Sequence, residues 1–160
     1  EKIDELEEME DGYKNLNKKK QALEIAHTQL AELARGVYRE FSMELNRTTS
    51  EILKEITGGK YSMIMIDDKL KMHLYTGEKK IGIEQVSRGT IEQIYFALRM
   101  AASHILFDDE YPVILDDTFV YYDDVRLENT LKWLVKNKKQ IIIFTCQKRE
   151  EEILKKLGAL

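Results

Sequence analysis

The polar turn Val86-Ser87-Arg88-Gly89-Thr90 stands near the middle of the chain, directly before a helix-like run from Ile91 to Phe107. Apolar residues recur at helical spacing in that run, so the turn marks the N-terminus of a helix. A helix N-terminus carries unpaired N–H groups and partial positive charge, and both favour phosphate binding. Ordinary capping, with Ser87 or Thr90 as the N-cap and Gly89 as the turn, accounts for the same residues. The rest of the chain must decide between these interpretations.

The composition is that of one globular domain with a charge-rich helical extension, since the 160 residues are 43% hydrophobic and 34% charged. A net charge of -4 argues against a globally basic nucleic-acid-binding protein. Cys146 is the single cysteine, so no internal disulfide forms, and we expect a reducing, cytoplasmic environment. No apolar run is long enough to span a bilayer and no secretory signal opens the chain, so we expect no membrane partner.

Residues 1–45 carry a heptad pattern typical of a coiled-coil arm, which lasts for about five heptads. A coiled coil needs a partner helix, and the chain offers no second long heptad segment. We therefore expect the partner to come from a missing part of the protein or from another copy. The chain begins without methionine inside this pattern, which we interpret as an excised fragment. The seam positions are Leu6, Met9, Tyr13, Leu16, Lys20, Leu23, His27, Leu30, Ala34, Val37, Phe41 and Glu44.

After the arm, Thr48 or Thr49 is expected to cap a helix from about Ser50 to Thr57, which Gly58-Gly59 ends. A small antiparallel meander follows. Its first two strands are predicted at 61–66 and 71–75, joined by the turn Asp67-Asp68-Lys69, and Ile81 and Ile83 begin the third.

The last third of the chain has the pattern strand, helix, strand. The apolar runs Pro112–Leu115 and Ile141–Phe144 flank a helix predicted from Asp123 to Asn137, and a final helix is predicted from Lys148 to Leu157. Continuous apolar strands indicate a parallel sheet covered on both faces.

Polar residues follow both of these strands, at the edge where ligands of parallel sheets gather. They are Asp116 and Asp117 after the first strand and Gln147 after the second. Adjacent aspartates at the end of a buried strand are costly unless they are compensated. Hydrated Mg²⁺ accepts one or two carboxylates and keeps waters for a phosphate ligand, so we favour a magnesium site over a turn or a helix cap.

These pieces together resemble a known family. The turn 86–90 resembles the ABC signature loop, Val113–Asp117 the Walker B strand, Val120–Asp123 the D-loop, and Phe144–Gln147 the switch loop. Their order and the preceding coiled coil are similar to the C-terminal half of an ATPase head of the SMC/RecN/SbcC-like group, most of all its YhaN-like branch. The resemblance implies an α/β fold. Residues 1–45 would be the arm and 46–160 the C-terminal lobe of the head, a parallel sheet with flanking helices and a small antiparallel meander.

The family also implies roles for single residues. The signature loop would contact the γ-phosphate of ATP held by the opposite head, through the Ser87 hydroxyl and the Gly89 backbone, and Asp123 would couple the two sites across a homodimer. With these motifs downstream, phosphate contact by the turn is favoured over capping alone. The implied ATP-binding residues are Ser87, Arg88, Gly89, Thr90 and Asp123.

The implied catalytic residues depart from the family pattern. Asp116 would hold Mg²⁺ through water, whereas Asp117 stands where a longer glutamate usually activates the attacking water. Gln147, or Cys146 under a one-residue shift, occupies the place of a histidine, and glutamine cannot titrate near neutrality. Weak turnover would follow, with ATP acting as a clamp.

No GxxxxGK[ST] motif occurs in the chain. The resemblance therefore implies that ATP and Mg²⁺ binding require a missing N-terminal Walker A lobe, that this fragment alone is inactive, and that an antiparallel helix completes the arm. It also implies ATP hydrolysis by the full-length protein in DNA maintenance or repair, although 18 acidic and 18 basic residues balance in 46–160 and give no support to DNA contact. Two alternatives stay open. One is a magnesium nuclease or phosphatase using Asp116, Asp117 and Asp124, and the other is a non-catalytic coiled-coil interaction module.

Overall fold

The computed structural model describes residues 2–67, 69–107 and 111–160, with the side chains of 4–8 and 11 outside the description. Two positions used in the sequence predictions, the side chain of Leu6 and the turn residue Asp68, therefore lie outside the described residues. The chain divides into two compact units, Glu1–Phe41 and Ser42–Leu160. Within the described ranges, none of the helices combines the length and apolar character that crossing a membrane requires.

Helix α1 spans Lys2–Ile56 and supplies the described part of the first unit. Within that unit the described seam side chains are exposed except that of Phe41, which is half-buried; exposure of the seam is expected for one helix of a coiled coil without its partner. The large apolar ones among them are Met9, Tyr13, Leu16, Leu23, Leu30 and Val37.

The separate helix predicted from Ser50 to Thr57 is wrong, because α1 continues through this region without a break. Thr48 and Thr49 lie within the helix with buried side chains and do not cap it. No glycine or proline interrupts positions 38–57. The predicted end is confirmed, since Gly58 and Gly59 both have positive φ and the Gly59 N–H bonds back to the Lys54 carbonyl at 2.8 Å.

An antiparallel sheet follows, with strands β1 (Met63–Ile66), β2 (Met72–Thr76) and β3 (Lys79–Gly82) in that order. It is the predicted meander, except that Ile83 belongs to a 3-10 helix, Ile83–Gln85, and not to the third strand. The pairing of β2 with β3 ends at His73 opposite Gly82, so the chain turns at Ile83 towards Ser87.

The second sheet is parallel and has two strands, β4 and β5, that pair from Val113 opposite Ile141 to Asp116 opposite Phe144. The predicted strand–helix–strand order and the parallel pairing are therefore confirmed. The elements of this part are α2 (Arg88–Leu106), β4 (Val113–Asp116), α3 (Asp124–Asn137), β5 (Ile141–Phe144) and α4 (Lys148–Lys156).

The core of the second unit lies among the end of α1, α2 and α3. Phe96 is buried on α2 and meets the Trp133 ring edge-on, with ring centroids 6.0 Å apart. The buried Gln93 amide donates to the Ile56 carbonyl at 3.0 Å, which satisfies a group that the end of α1 leaves free. These contacts fix the start of α2 against neighbouring elements.

The prediction that both faces of the parallel sheet are covered is wrong for the described residues. Val113 and Leu115 are buried, whereas Ile114 is 62% exposed and Phe144 57% exposed. Successive strand residues point to opposite faces, and α3 and α4 pack against each other. One face of the sheet is therefore covered, and the other presents apolar side chains to solvent.

Candidate functional site

Ser87 is the N-cap of α2, and its side-chain oxygen accepts a hydrogen bond from the Thr90 N–H at 3.4 Å. Its hydroxyl also lies 3.1 Å from the Thr90 hydroxyl. Arg88, Gly89 and Thr90 form the first turn of the helix, so α2 begins three residues before the predicted start at Ile91. The predicted capping of α2 by Ser87 is therefore confirmed. The cap also places a hydroxyl beside the N–H groups that the first turn of the helix leaves without an intrahelical partner.

Gly89 lies against the turn formed by residues 119–122. A Cβ on Gly89 would stand 2.7 Å from the Tyr121 carbonyl oxygen, a distance that side chains do not tolerate. On the preceding residue, the Arg88 guanidinium lies 3.6 Å from the centre of the Tyr121 ring. The signature-like turn and the D-loop-like segment therefore form one packed surface.

Arg126 joins the same surface from the first turn of α3. Its Nη2 lies 3.4 Å from Ser87 Oγ and 3.5 Å from Thr90 Oγ1, and its Nη1 forms an ion pair with Asp123. Asp123 is the N-cap of α3 and accepts from the Arg126 N–H at 2.9 Å. The structure thus brings Ser87, Thr90 and Asp123 together through one guanidinium.

A cleft of about 220 Å³ with a mainly apolar lining opens beside this surface. Lys60 and Arg126 give it positive charge, and the first turns of α2 and α3 border it. Its lining is Ile56, Thr57, Lys60, Tyr61, Thr90, Gln93, Asp123, Val125, Arg126 and Asn129.

Asp116 and Asp117 lie at the carboxyl end of β4, and both are exposed. Asp117 has a left-handed backbone conformation, with φ of 42°, and its N–H donates to the Phe144 carbonyl at 2.9 Å. Non-glycine residues in this conformation are uncommon and concentrate at functional sites. The hydrogen bond holds Asp117 beside the end of β5, where the switch-like segment begins.

The switch-like segment turns sharply after β5, with the Gln147 N–H bonded to the Thr145 hydroxyl at 3.0 Å. Gln147 is the N-cap residue of α4, but its side chain makes no capping hydrogen bond. Cys146 is exposed. Asp116, Asp117 and this segment share one edge of the sheet, as the sequence analysis predicts for the ends of parallel strands.

Arg149, near the start of α4, connects this edge with the first surface. Its Nη1 donates to the Tyr122 carbonyl at 2.6 Å and its Nη2 to the Phe119 carbonyl at 2.8 Å. Both carbonyls belong to the turn that packs on Gly89. Sequence reasoning singled out neither Arg149 nor Arg126. Arg126 at least carries a local signal, because it stands three residues after a capping aspartate.

The donor set at Asp116 is an exposed carboxylate, which suits a largely hydrated Mg²⁺ ion held through water. In the described ranges there is no cluster of three or more His, Cys, Asp or Glu side chains fit to hold a metal ion. Asp124, the third carboxylate of the nuclease alternative, instead lies 3.6 Å from Arg149 Nη1.

The fold is that of SMC head domains. One similar structure comes from work on ATP-driven dimerization and DNA-stimulated activation of SMC ATPases (16% identity, TM-score 0.63, 74% of this chain and 76% of that chain). Another is the Smc head domain of Pyrococcus furiosus with an extended coiled coil, bound to the C-terminal domain of ScpA (17%, 0.56, 90% and 40%). A third is the Smc head domain of Pyrococcus yayanosii with a coiled coil and joint (13%, 0.62, 79% and 26%).

The sequence is similar to the uncharacterized protein YhaN of Bacillus subtilis strain 168, with 32% identity over 124 residues. This match takes in 71% of the present chain but spans only 13% of YhaN. No family model matches the chain. Fold and sequence together confirm the predicted resemblance to the C-terminal part of an SMC-like, YhaN-like head with its coiled coil, and they confirm the predicted α/β fold class.

Proposed function

We propose that this chain is the C-terminal half of an SMC-like ATPase head that dimerises around ATP. The observation that carries this proposal is the packed surface in which Gly89 accommodates the Tyr121 carbonyl and Arg126 joins Ser87 to Asp123. It holds the signature-like turn and the D-loop-like segment in one arrangement. Positioning is most of what phosphoryl transfer asks of a protein.

In this proposal the surface acts on the ATP of the opposite head. The Ser87 hydroxyl and the Gly89 N–H would donate to the γ-phosphate, with Arg88 and Thr90 lining the contact. Val120 and Tyr121 are exposed beside it and would meet the partner head, while Asp123 would couple the two sites. Arg126 would add positive charge next to the Ser87 hydroxyl.

The edge of the parallel sheet would serve the ATP of the same head. When bound, Mg²⁺ supplies positive charge that neutralises the phosphate oxygens, and Asp116 would hold it through water. Asp117 would orient the attacking water, and the Gln147 amide would hydrogen-bond a phosphate oxygen. Because Asp117 is one methylene shorter than glutamate and Gln147 carries no titratable proton, we expect slow turnover and a long-lived ATP-bound dimer.

The remaining partners follow from exposed apolar surface. The open face of the β4–β5 sheet would dock the N-terminal Walker A lobe, and the exposed seam of the arm would pair with an antiparallel helix. Dimerization driven by ATP and activation by DNA are named for SMC ATPases among the similar structures, and ScpA is bound to another. We propose the ATP-driven dimerization for this protein as well, and a role in DNA maintenance or repair.

The test is ATP-dependent dimerisation of the chain produced together with its N-terminal half, measured by light scattering coupled to size exclusion. We expect dimers with ATP and Mg²⁺ and monomers without them. Ser87→Arg fills the phosphate contact with a large cation, so it should abolish the dimer while each head still binds ATP. Ser62→Arg, at an exposed serine directly before strand β1, is the matched control and should leave the dimer intact.

Dimers that form equally well without ATP, or that survive Ser87→Arg, contradict the proposal. Metal-dependent cleavage of nucleic acid or phosphate esters by the purified chain, lost on Asp116→Ala, would instead support the nuclease alternative.

A further inference from the structure

Arg149 holds both ends of the turn formed by residues 119–122. One guanidinium nitrogen donates to the Tyr122 carbonyl at 2.6 Å and the other to the Phe119 carbonyl at 2.8 Å. The turn's own bond, from the Tyr122 N–H to the Phe119 carbonyl at 3.0 Å, lies between them. The Nε atom is buried without a hydrogen-bond partner among the described residues and lies 3.8 Å from a Glu150 carboxylate oxygen, while Nη1 also lies 3.6 Å from Asp124, so the hydrogen bonds of the guanidinium go to this turn and its ion pairs to two neighbouring carboxylates.

This contact joins two segments with different proposed roles: the switch-like segment, which would serve the ATP of the same head, and the turn beside the signature-like surface, which would serve the ATP of the opposite head. Arg149 stands two residues after Gln147, on the helix that starts at the switch-like segment. The turn that it holds presses the Tyr121 carbonyl against Gly89 and supports the Arg88 side chain. A shift of the switch-like segment that moved the start of α4 would pull on these two carbonyls and so act on the turn that packs against Gly89.

We propose that Arg149 is a positioning residue that transmits the state of the head's own nucleotide site, at Gln147, to the signature-like surface that completes the partner's site. This inference rests on the proposed function. The fork geometry is essential, because two carbonyls about one turn apart are bridged by the fixed pair of N–H donors of arginine. A lysine ammonium is a point charge and cannot hold both carbonyls in this way.

The test is a double-mutant cycle between Gln147→Ala and Arg149→Lys in heads that contain the N-terminal half. The measured quantity is the affinity of ATP-dependent dimerisation, with the ATP affinity of separate heads measured in parallel. Each single variant should weaken dimerisation by about tenfold, and the double variant should be no weaker than Arg149→Lys alone, because Gln147 then has no route to the surface. ATP affinity of separate heads should stay unchanged in Arg149→Lys, and dimerisation should stay unchanged in the matched control Lys148→Ala, at the exposed neighbour on the same helix.

Additive losses, about hundredfold in the double variant, overturn the inference, as does an Arg149→Lys head that dimerises normally. The measurement on wild-type heads separates this failure from a failure of the proposed function. If wild-type heads do not dimerise with ATP, the proposed function itself is wrong and the inference falls with it.

Hydrogen exchange gives a second measurement that does not depend on dimer affinity. In wild-type heads, ATP should change the protection of the amides of residues 119–126, and in Arg149→Lys heads that change should disappear while the rest of the fold keeps its protection. An ATP-dependent change of the same size in both proteins overturns the inference.

Discussion

Burial of the Tyr122 side chain changes the pKa of its hydroxyl and leaves that hydroxyl unpaired among the described residues. Its ring packs against Phe119, with ring centroids 5.4 Å apart, and its hydroxyl is buried without a hydrogen-bond partner among the described residues. Burial raises the pKa of Tyr122 well above the ordinary range of a phenol, and the Glu92 carboxylate acts in the same direction. A buried hydroxyl without a partner costs free energy, so this atom does not stabilise the fold.

Tyr122→Phe should therefore raise the free energy of unfolding at neutral pH by about 1 kcal/mol. The unfolded phenol ionises near pH 10, whereas the folded one keeps its proton to higher pH, so ionisation favours the unfolded chain above about pH 10. The wild-type protein should lose stability more steeply than Tyr122→Phe as the pH rises past that value. Urea unfolding at neutral and alkaline pH measures both effects.

Tyr13→Phe, at an exposed tyrosine, is the control and should change neither value. A loss of stability in Tyr122→Phe at neutral pH would show that the hydroxyl is hydrogen-bonded after all.

The candidate site divides into residues that sequence can predict and residues that it cannot. Ser87, Gly89 and Asp123 could be predicted because capping and turn chemistry act between near neighbours. The contact of Arg149 with Tyr122 spans 27 positions and that of Arg126 with Ser87 spans 39, so neither leaves a periodic pattern. These contacts arise from the packing of separate helices.

At the scale of elements, the strands of the parallel sheet were predicted almost to the residue, because short apolar runs bounded by polar residues limit a buried strand on both sides. The long helix was harder to predict. Thr48 and Thr49 carry a capping signal, but both side chains are buried within the fold, and tertiary packing outweighs local preference. Coverage of the sheet could not be predicted either, since periodicity does not say which element lies on a face.

Ile114→Lys should separate docking from folding at the open sheet face. The side chain is exposed in this chain, so a lysine there should leave the stability of the C-terminal lobe within about 0.5 kcal/mol of wild type. It should weaken the affinity for the N-terminal half by tenfold or more, because a charge would enter an apolar contact. A tenfold loss of affinity corresponds to about 1.4 kcal/mol of binding free energy. Titration of one purified half with the other, followed by calorimetry, measures this affinity.

Leu106→Lys, an equally exposed leucine at the end of α2, is the matched control and should bind normally. If Ile114→Lys also binds normally, the open face is not where the N-terminal half docks.

At the scale of the whole molecule, the arm and the head differ in charge and in what they expose. Residues 1–45 hold eleven acidic and seven basic residues, while the remaining residues balance, so the excess negative charge lies in the arm. The arm also exposes a row of apolar side chains that a single helix cannot bury. A partner helix for this surface should carry apolar seam residues and basic flanking residues.

Leu23→Asp should weaken the pairing of the arm in the full-length protein. A carboxylate at a seam position would be desolvated against the partner helix, which we expect to cost about 2 kcal/mol or more. Amide hydrogen exchange of residues 15–30 should then become faster by at least about tenfold, because pairing protects a helix that is marginal on its own. Gln21→Asp, at an exposed position off the seam, should change exchange little. Equal exchange rates in both variants would mean that the arm works as a single helix.

Asp117 carries a consequence for how this protein tolerates change. Its backbone is left-handed, with φ of 42°, a conformation that glycine adopts without steric cost and that a side chain opposes. A glycine at this position would relax the backbone and, under the proposed mechanism, remove the carboxylate that orients water. If Asp117 orients water as proposed, selection for stability favours glycine at position 117 and selection for chemistry favours aspartate. Variants gathered in a screen for thermal resistance alone should drift here towards proteins that hold ATP and no longer cleave it.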